Sequence, residues 1–166
     1  MTPGEDLIDI IQKGITATRE GKYQEALTSF HRVYSKPMDQ SSPAKKAKYI
    51  EGMSYYGLAV AVIDKKYKMA SDLCRTAIES QFYNADHYSN LVLIYLQAGQ
   101  RRRAVEALEQ ALKALPKDSR LKVLQKSVGN RSRPVIPFLR RDHPLNVALG
   151  RMRHVRKLKE DKKHER

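Results

Sequence analysis

A short pattern occurs three times along this chain, and it limits the fold more than any other feature. Gly21-Lys-Tyr23-Gln-Glu-Ala26-Leu-Thr-Ser-Phe30 is matched by Lys65-Lys-Tyr67-Lys-Met-Ala70-Ser-Asp-Leu-Cys74. It is matched again by Gly99-Gln-Arg-Arg-Arg-Ala104-Val-Glu-Ala-Leu108. Ala70 and Ala104 stand 34 residues apart, and Ala26 and Ala70 stand 44 apart, the same period plus ten. A fixed period of this size marks stacked supersecondary units that share one continuous core, because no single unit buries its apolar face alone.

Each unit reads as two helices. Thr2-Pro3-Gly4-Glu5 has the form of a capping box with proline at the first helical position. Leu7, Ile8, Ile11 and Ile15 then recur at helical spacing, and Gly21 supplies a stop. A second helix carries Tyr23, Ala26, Leu27, Phe30 and Val33 and ends near Pro37. Ser42-Pro43 opens a long third helix to about Lys65. A fourth carries Ala70, Leu73, Cys74 and Ala77; Asn84 caps a fifth that ends at Gly99. The sixth spans Arg101 to Leu115 before Pro116, and the seventh begins at Asp118-Ser119 and stops before Gly129. No period-two alternation is long enough for a strand.

On these residues the chain resembles the tetratricopeptide repeat family, whose unit is a helix-turn-helix of about 34 residues. The third unit, 85–118, carries the pattern most fully: Tyr88, Leu91, Tyr95, Gly99, Ala104, Leu108, Ala111 and Pro116. The first, 7–40, keeps Gly14, Gly21, Tyr23, Ala26 and Phe30. The second, 51–84, departs from it, with Lys65 at the turn glycine, Gly57 one place early and Phe82 for the proline. The ten extra residues, 41–50, lengthen the third helix, and 119–128 is a cap helix. The resemblance implies an all-α, right-handed superhelix of three stacked units within residues 1–128. It also implies a concave groove lined by the first helix of each pair. Projected here, that lining is Ile8, Ile11, Gln12 and Ile15, then Tyr55, Tyr56, Ala59, Val62 and Ile63, then Ser89, Asn90, Leu93 and Leu96. It is mainly apolar and suits an amphipathic helix or an extended hydrophobic peptide. The Lys, Asn and Arg set with which some relatives clamp a terminal carboxylate is missing. Several of these residues are equally explained as core between units.

Charge divides the chain a second way. Lys and Arg number 32 against 18 Asp and Glu, a net of +14. Residues 1–119 hold 17 basic and 14 acidic side chains, whereas residues 120–166 hold 15 and 4. A near-neutral body with a cationic appendage follows. Residues 129–143 combine Pro134 and Pro137 with Val135, Ile136, Phe138 and Leu139, too apolar for an idle linker. The segment has three destinations: its own groove, a partner, or the apolar edge Leu121, Leu124 and Val128 of the cap helix. Residues 144–166 then read as a basic amphipathic helix with Leu145, Ala148, Leu149, Met152, Val155 and Leu158 on one stripe and a frayed end. Candidate tail contacts are Arg131, Arg133, Ile136, Phe138, Leu139, Arg140, Arg141, Met152, Arg153 and Arg156.

The chemistry-bearing residues form no catalytic set. The five histidines (His31, His87, His143, His154, His164) are scattered, with no pair and third ligand at metal-binding spacing. A single cysteine, Cys74, excludes an internal disulfide and reads as a buried filler. The longest stretch without a polar side chain other than tyrosine, Tyr55 to Ile63, falls far short of the roughly 20 residues that cross a bilayer. The expectation is a non-enzymatic, cofactor-free and metal-free cytoplasmic adaptor or scaffold that binds another protein. The alternative is an electrostatic binder of RNA or other nucleic acid, or of an anionic surface or acidic partner, through the basic C-terminal segment. The long third helix and the final apolar stripe also offer surfaces for a homodimer.

Overall fold

In the computed structural model the described residues are 6–35, 37, 42–128 and 149. They form seven helices and no strand: α1 (Leu7–Arg19), α2 (Tyr23–Tyr34), α3 (Pro43–Ile63), α4 (Tyr67–Ser80), α5 (Ala85–Gln97), α6 (Arg101–Ala114) and α7 (Ser119–Val128). All seven lie in the compact unit Met1–Val128. Consecutive helices pair as α1·α2, α3·α4 and α5·α6, and α1, α3, α5 and α7 also pack in succession. Each second helix packs against the first helix of the next unit, α2 on α3 and α4 on α5. This is the repeat-like packing that the sequence period demands.

The ends of the helices follow local chemistry, with one correction. α1 starts at Leu7, because Asp6 is extended (φ −70°, ψ 149°) and its carboxylate accepts from the Leu7 N–H at 2.7 Å. Thr2 therefore does not cap this helix, and residues 2–5 lie outside the described ones. Pro43 occupies the first turn of α3 with Ser42 before it. Asn84 caps α5 by accepting from the Asp86 N–H at 3.1 Å. Asp118 accepts from the Arg120 and Leu121 N–H groups at the start of α7.

Three turns within units share one backbone state. Gly21, Lys65 and Gly99 all have positive φ, at 76°, 58° and 68°. After α1 the Lys22 N–H reaches back to Ala17 O and the Gly21 N–H to Thr18 O. After α5 the Gln100 N–H reaches Tyr95 O and the Gly99 N–H reaches Leu96 O. Both pairs are the Schellman arrangement that ends a helix on a left-handed residue. Lys65 adopts that conformation without a glycine's freedom.

The core has two parts. Ile11, Ile15, Ala26, Phe30, Tyr56 and Ala59 centre one between α1, α2 and α3. Ala70, Cys74, Val92, Ile94, Ala104 and Leu121 centre the other across α3 to α7. Small residues set the spacing. A Cβ on Gly14 would fall 2.6 Å from the Phe30 ring, and one on Gly57 would fall 2.7 Å from the Ala70 carbonyl oxygen. Leu121 and Val128, expected on an exposed edge of the cap helix, are buried in the second cluster. The exposed aliphatic residue of α7 is Val123.

Candidate partner-binding site

The parallel helices α1, α3 and α5, with α7 after them, carry a chain of polar contacts from unit to unit. Lys48 on α3 donates to Gln12 on α1 at 2.6 Å and pairs with Glu51 at 2.9 Å. Further along, Arg19 donates to Tyr55 Oη at 2.8 Å and to Asp86 Oδ2 at 2.9 Å. Tyr55 donates its own proton to the same Oδ2 at 2.6 Å. Arg120 meets the other oxygen, Oδ1, at 2.5 Å. Asp86 thus gathers one residue from each of α1, α3 and α7 onto α5. Burial, reinforced by the neighbouring carboxylate, pushes the Tyr55 phenol well above its ordinary range, so it stays a donor. The Arg19 and Arg120 side chains remain more than half exposed, at 56% and 59%, and Asp86 is exposed by 20%.

A second network lies beneath the surface between α3, α4 and α5. His87 is fully buried, with Nδ1 2.8 Å from Ser54 Oγ and Nε2 3.1 Å from Gln81 Oε1. The Gln81 amide donates through Nε2 to Ala47 O at 2.8 Å, so its Oε1 is an acceptor. His87 Nε2 therefore carries the proton, and Nδ1 accepts from the Ser54 hydroxyl. Asn90 Nδ2 donates to the same hydroxyl at 3.2 Å. Each polar atom has its partner when the ring is neutral. Burial lowers the His87 pKa to about 4, against an opposing pull from Asp86 and Glu51. The Cys74 thiol, buried beside Ser54 O, is pushed up by desolvation and does not present a thiolate. Among the described residues no group of three or more His, Cys, Asp or Glu side chains is placed to hold a metal ion. No described helix is long and apolar enough to cross a membrane.

The tetratricopeptide repeat profile matches residues 88–123, which spans the third unit from Tyr88 into α7. The chain fits a repeat protein of the tetratricopeptide type. A search of curated proteins finds no match. Tetratricopeptide repeats are typically interaction modules without chemistry of their own.

In this tetratricopeptide-type body the residues projected onto the groove fall into two groups. Ile11, Ile15, Tyr55, Tyr56, Ala59 and Asn90 are buried, and Ile11, Ile15 and Ala59 have no exposed surface at all. Gln12 is exposed, Ile63 and Leu93 are exposed by 39% and 37%, and Ile8, Val62, Ser89 and Leu96 are half-buried. Ser54 lies against His87 and Asn90. Carried along two parallel helices, that register sets Ile63 level with the last turn of α5, from Leu96 onward and beyond Leu93. Exposed Ile63 thus ends α3 and exposed Leu93 lies in the C-terminal half of α5, while Asp86 near the start of α5 holds the charged contacts. Tail residues Arg131, Arg133, Ile136, Phe138, Leu139, Arg140, Arg141, Met152, Arg153 and Arg156 lie outside the described residues.

Proposed function

We propose that this chain is a protein-binding adaptor that holds a partner segment along the face formed by α1, α3 and α5. The observation that carries the reading is the pairing of the repeat match with the exposed aliphatic side chains of Ile63 and Leu93, beside the half-buried Leu96. Exposed aliphatic residues on facing helices give an amphipathic segment its apolar contact. Arg19 and Arg120, each more than half exposed, give it a polar anchor further along. The partner is a helical or extended apolar segment with acidic neighbours, and the role is recruitment rather than catalysis, in the cytoplasm.

The test is a pull-down from nuclease-treated lysate with the full chain and with the Ile63→Glu/Leu93→Glu variant. A partner held by the wild type and lost by the variant supports the reading, provided the variant keeps its helical circular dichroism. A partner retained equally by both sinks it.

The charge step favours a second reading for the other end of the chain. Residues 120–166 carry 15 basic and 4 acidic side chains, and Arg120, Lys122 and Lys126 of that set are exposed on α7. In this reading they bind nucleic acid phosphates, and binding weakens steeply as salt rises. Association with RNA that is unchanged by salt would remove it.

A further inference from the structure

The outer side of the repeat body holds a cleft that the inner face does not use. α4 and α6 both pack on α5, yet among the described residues they make no backbone contact with each other. The gap between them is a cleft of about 350 Å³, floored by Tyr88, Leu91 and Tyr95 of α5. All three are buried, and they give the floor aromatic and aliphatic surface. Ile78 and Ala107 complete the apolar lining from the two walls. The size sits at the low end of ligand pockets, which run from about 300 to 1,000 Å³. It suits a few side chains of a peptide better than a cofactor.

The rim is charged, and the charge is segregated. α5 runs antiparallel to both walls because it is joined to each by a short turn. Its Tyr95-to-Tyr88 direction therefore follows α4 from Arg75 to Glu79 and α6 from Arg103 to Glu106. Arg75 confirms the register by donating to Tyr95 Oη at 2.6 Å. One end of the cleft is thus cationic, with Arg75 and Arg103, and the other is anionic, with Glu79 and Glu106. Each pole has some compensation outside the cleft. Asp72 lies 3.6 Å from Arg75, and Arg102 bonds Glu106 at 2.8 Å.

We infer that this outer cleft is a second docking site, and that it takes a short peptide segment of mixed charge. An acidic side chain of the segment lies at Arg75 and Arg103, an aliphatic side chain lies on Leu91 and Ala107, and a basic side chain lies at Glu79 and Glu106. A segment of one sign meets repulsion at one pole whichever way it enters. The dipolar rim selects against it. The site is independent of the inner face, and loss of binding there leaves this prediction intact.

The experiment uses the full chain and three short capped peptides that share two central leucines. One carries Asp at one end and Lys at the other, one carries Lys at both ends, and one carries Asp at both. Binding is followed by NMR titration of the Tyr88, Tyr95 and Ala107 signals. The wild type binds the mixed peptide about fivefold more tightly than either of the others, the effect of two exposed charge contacts. Arg75→Glu/Arg103→Glu makes the whole rim acidic and moves the preference to the dilysine peptide. Glu79→Lys/Glu106→Lys makes it basic and moves the preference to the diaspartate peptide. All four positions are exposed, and each variant tests the other's pole, so failure of one to fold leaves the second as the test. A reversal of preference in either folded variant supports the site. The same ranking in wild type and variants, or no change at the three cleft signals with any peptide, overturns it.

Discussion

Lys65 occupies a backbone position that its two counterparts, Gly21 and Gly99, fill without strain. A left-handed conformation costs an L-residue roughly 1–2 kcal/mol, and glycine's extra freedom in the unfolded chain returns roughly 0.5–1. Lys65→Gly is therefore expected to stabilise the fold by about 1 kcal/mol, read as a rise of a few degrees in Tm. Lys65→Ala, which keeps the Cβ, should leave Tm nearly unchanged. An equal gain from both would place the effect in the lysine side chain instead. His87 supplies a prediction of opposite kind. Its folded pKa of about 4 lies below the unfolded value of 6.5, so the unfolded chain binds the proton first as pH falls. The stability this group contributes is present above pH 6.5. It is lost between 6.5 and 4, at no more than about 1.4 kcal/mol per pH unit. Urea midpoints at pH 7 and pH 5 should differ more for the wild type than for His87→Gln. Parallel losses in the two proteins would show that carboxylates, not His87, set the acid limit.

The helices themselves were readable because their signals are local. Apolar spacing, Pro43, Asn84, Asp118 and the turn positions at 21, 65 and 99 each act within a few residues, and all appear where the pattern places them. The start of α1 shifted because Asp6 offers a cap closer to the first apolar residue than Thr2 does. The polar networks were not readable. Ser54, Gln81, His87 and Asn90 are distributed over α3, the turn after α4, and α5, and a polar residue in an amphipathic pattern or a turn reads as solvent-facing. Only tertiary contact turns them inward, so Asn90 was expected in the groove and is found 3.2 Å from Ser54 Oγ. Close approach between helices is similarly silent in the sequence. Gly57 stands one place before the family's usual small residue, yet its Cβ position lies 2.7 Å from the backbone oxygen of Ala70. A backbone atom cannot turn aside as the end of a side chain can. Gly57→Ala should therefore force α3 and α4 apart and cost roughly 1–3 kcal/mol, despite alanine's better helix propensity. Thermal denaturation checks this, and an unchanged or higher Tm would mean that the two helices separate freely.

Stacked repeats hold together through contacts between neighbours, so the cooperativity of the whole body depends on what crosses the seams. Apolar seams do most of this, and they act only between adjacent units. Asp86 reaches further, since a single carboxylate on α5 accepts from Arg19 of the first unit, Tyr55 of the second and Arg120 of the cap. The two arginines are well exposed and contribute little singly, because solvent screens them. Asp86 and Tyr55 are more enclosed, and their short bond leaves a buried donor without a partner if the carboxylate is removed. Asp86→Ala should cost about 2 kcal/mol in total. The more telling effect is on how the body unfolds. With the long-range tie gone, the first unit depends on its seam with α3 alone, and its amides should open at lower denaturant than those of α5 and α6. Native-state hydrogen exchange resolves this unit by unit. In the wild type the two groups should lose protection together; in Asp86→Ala they should separate, with a lower m-value for the overall transition. If both groups still open together in the variant, the apolar seams alone couple the units, and the Asp86 cluster serves only to shape the surface that a partner meets.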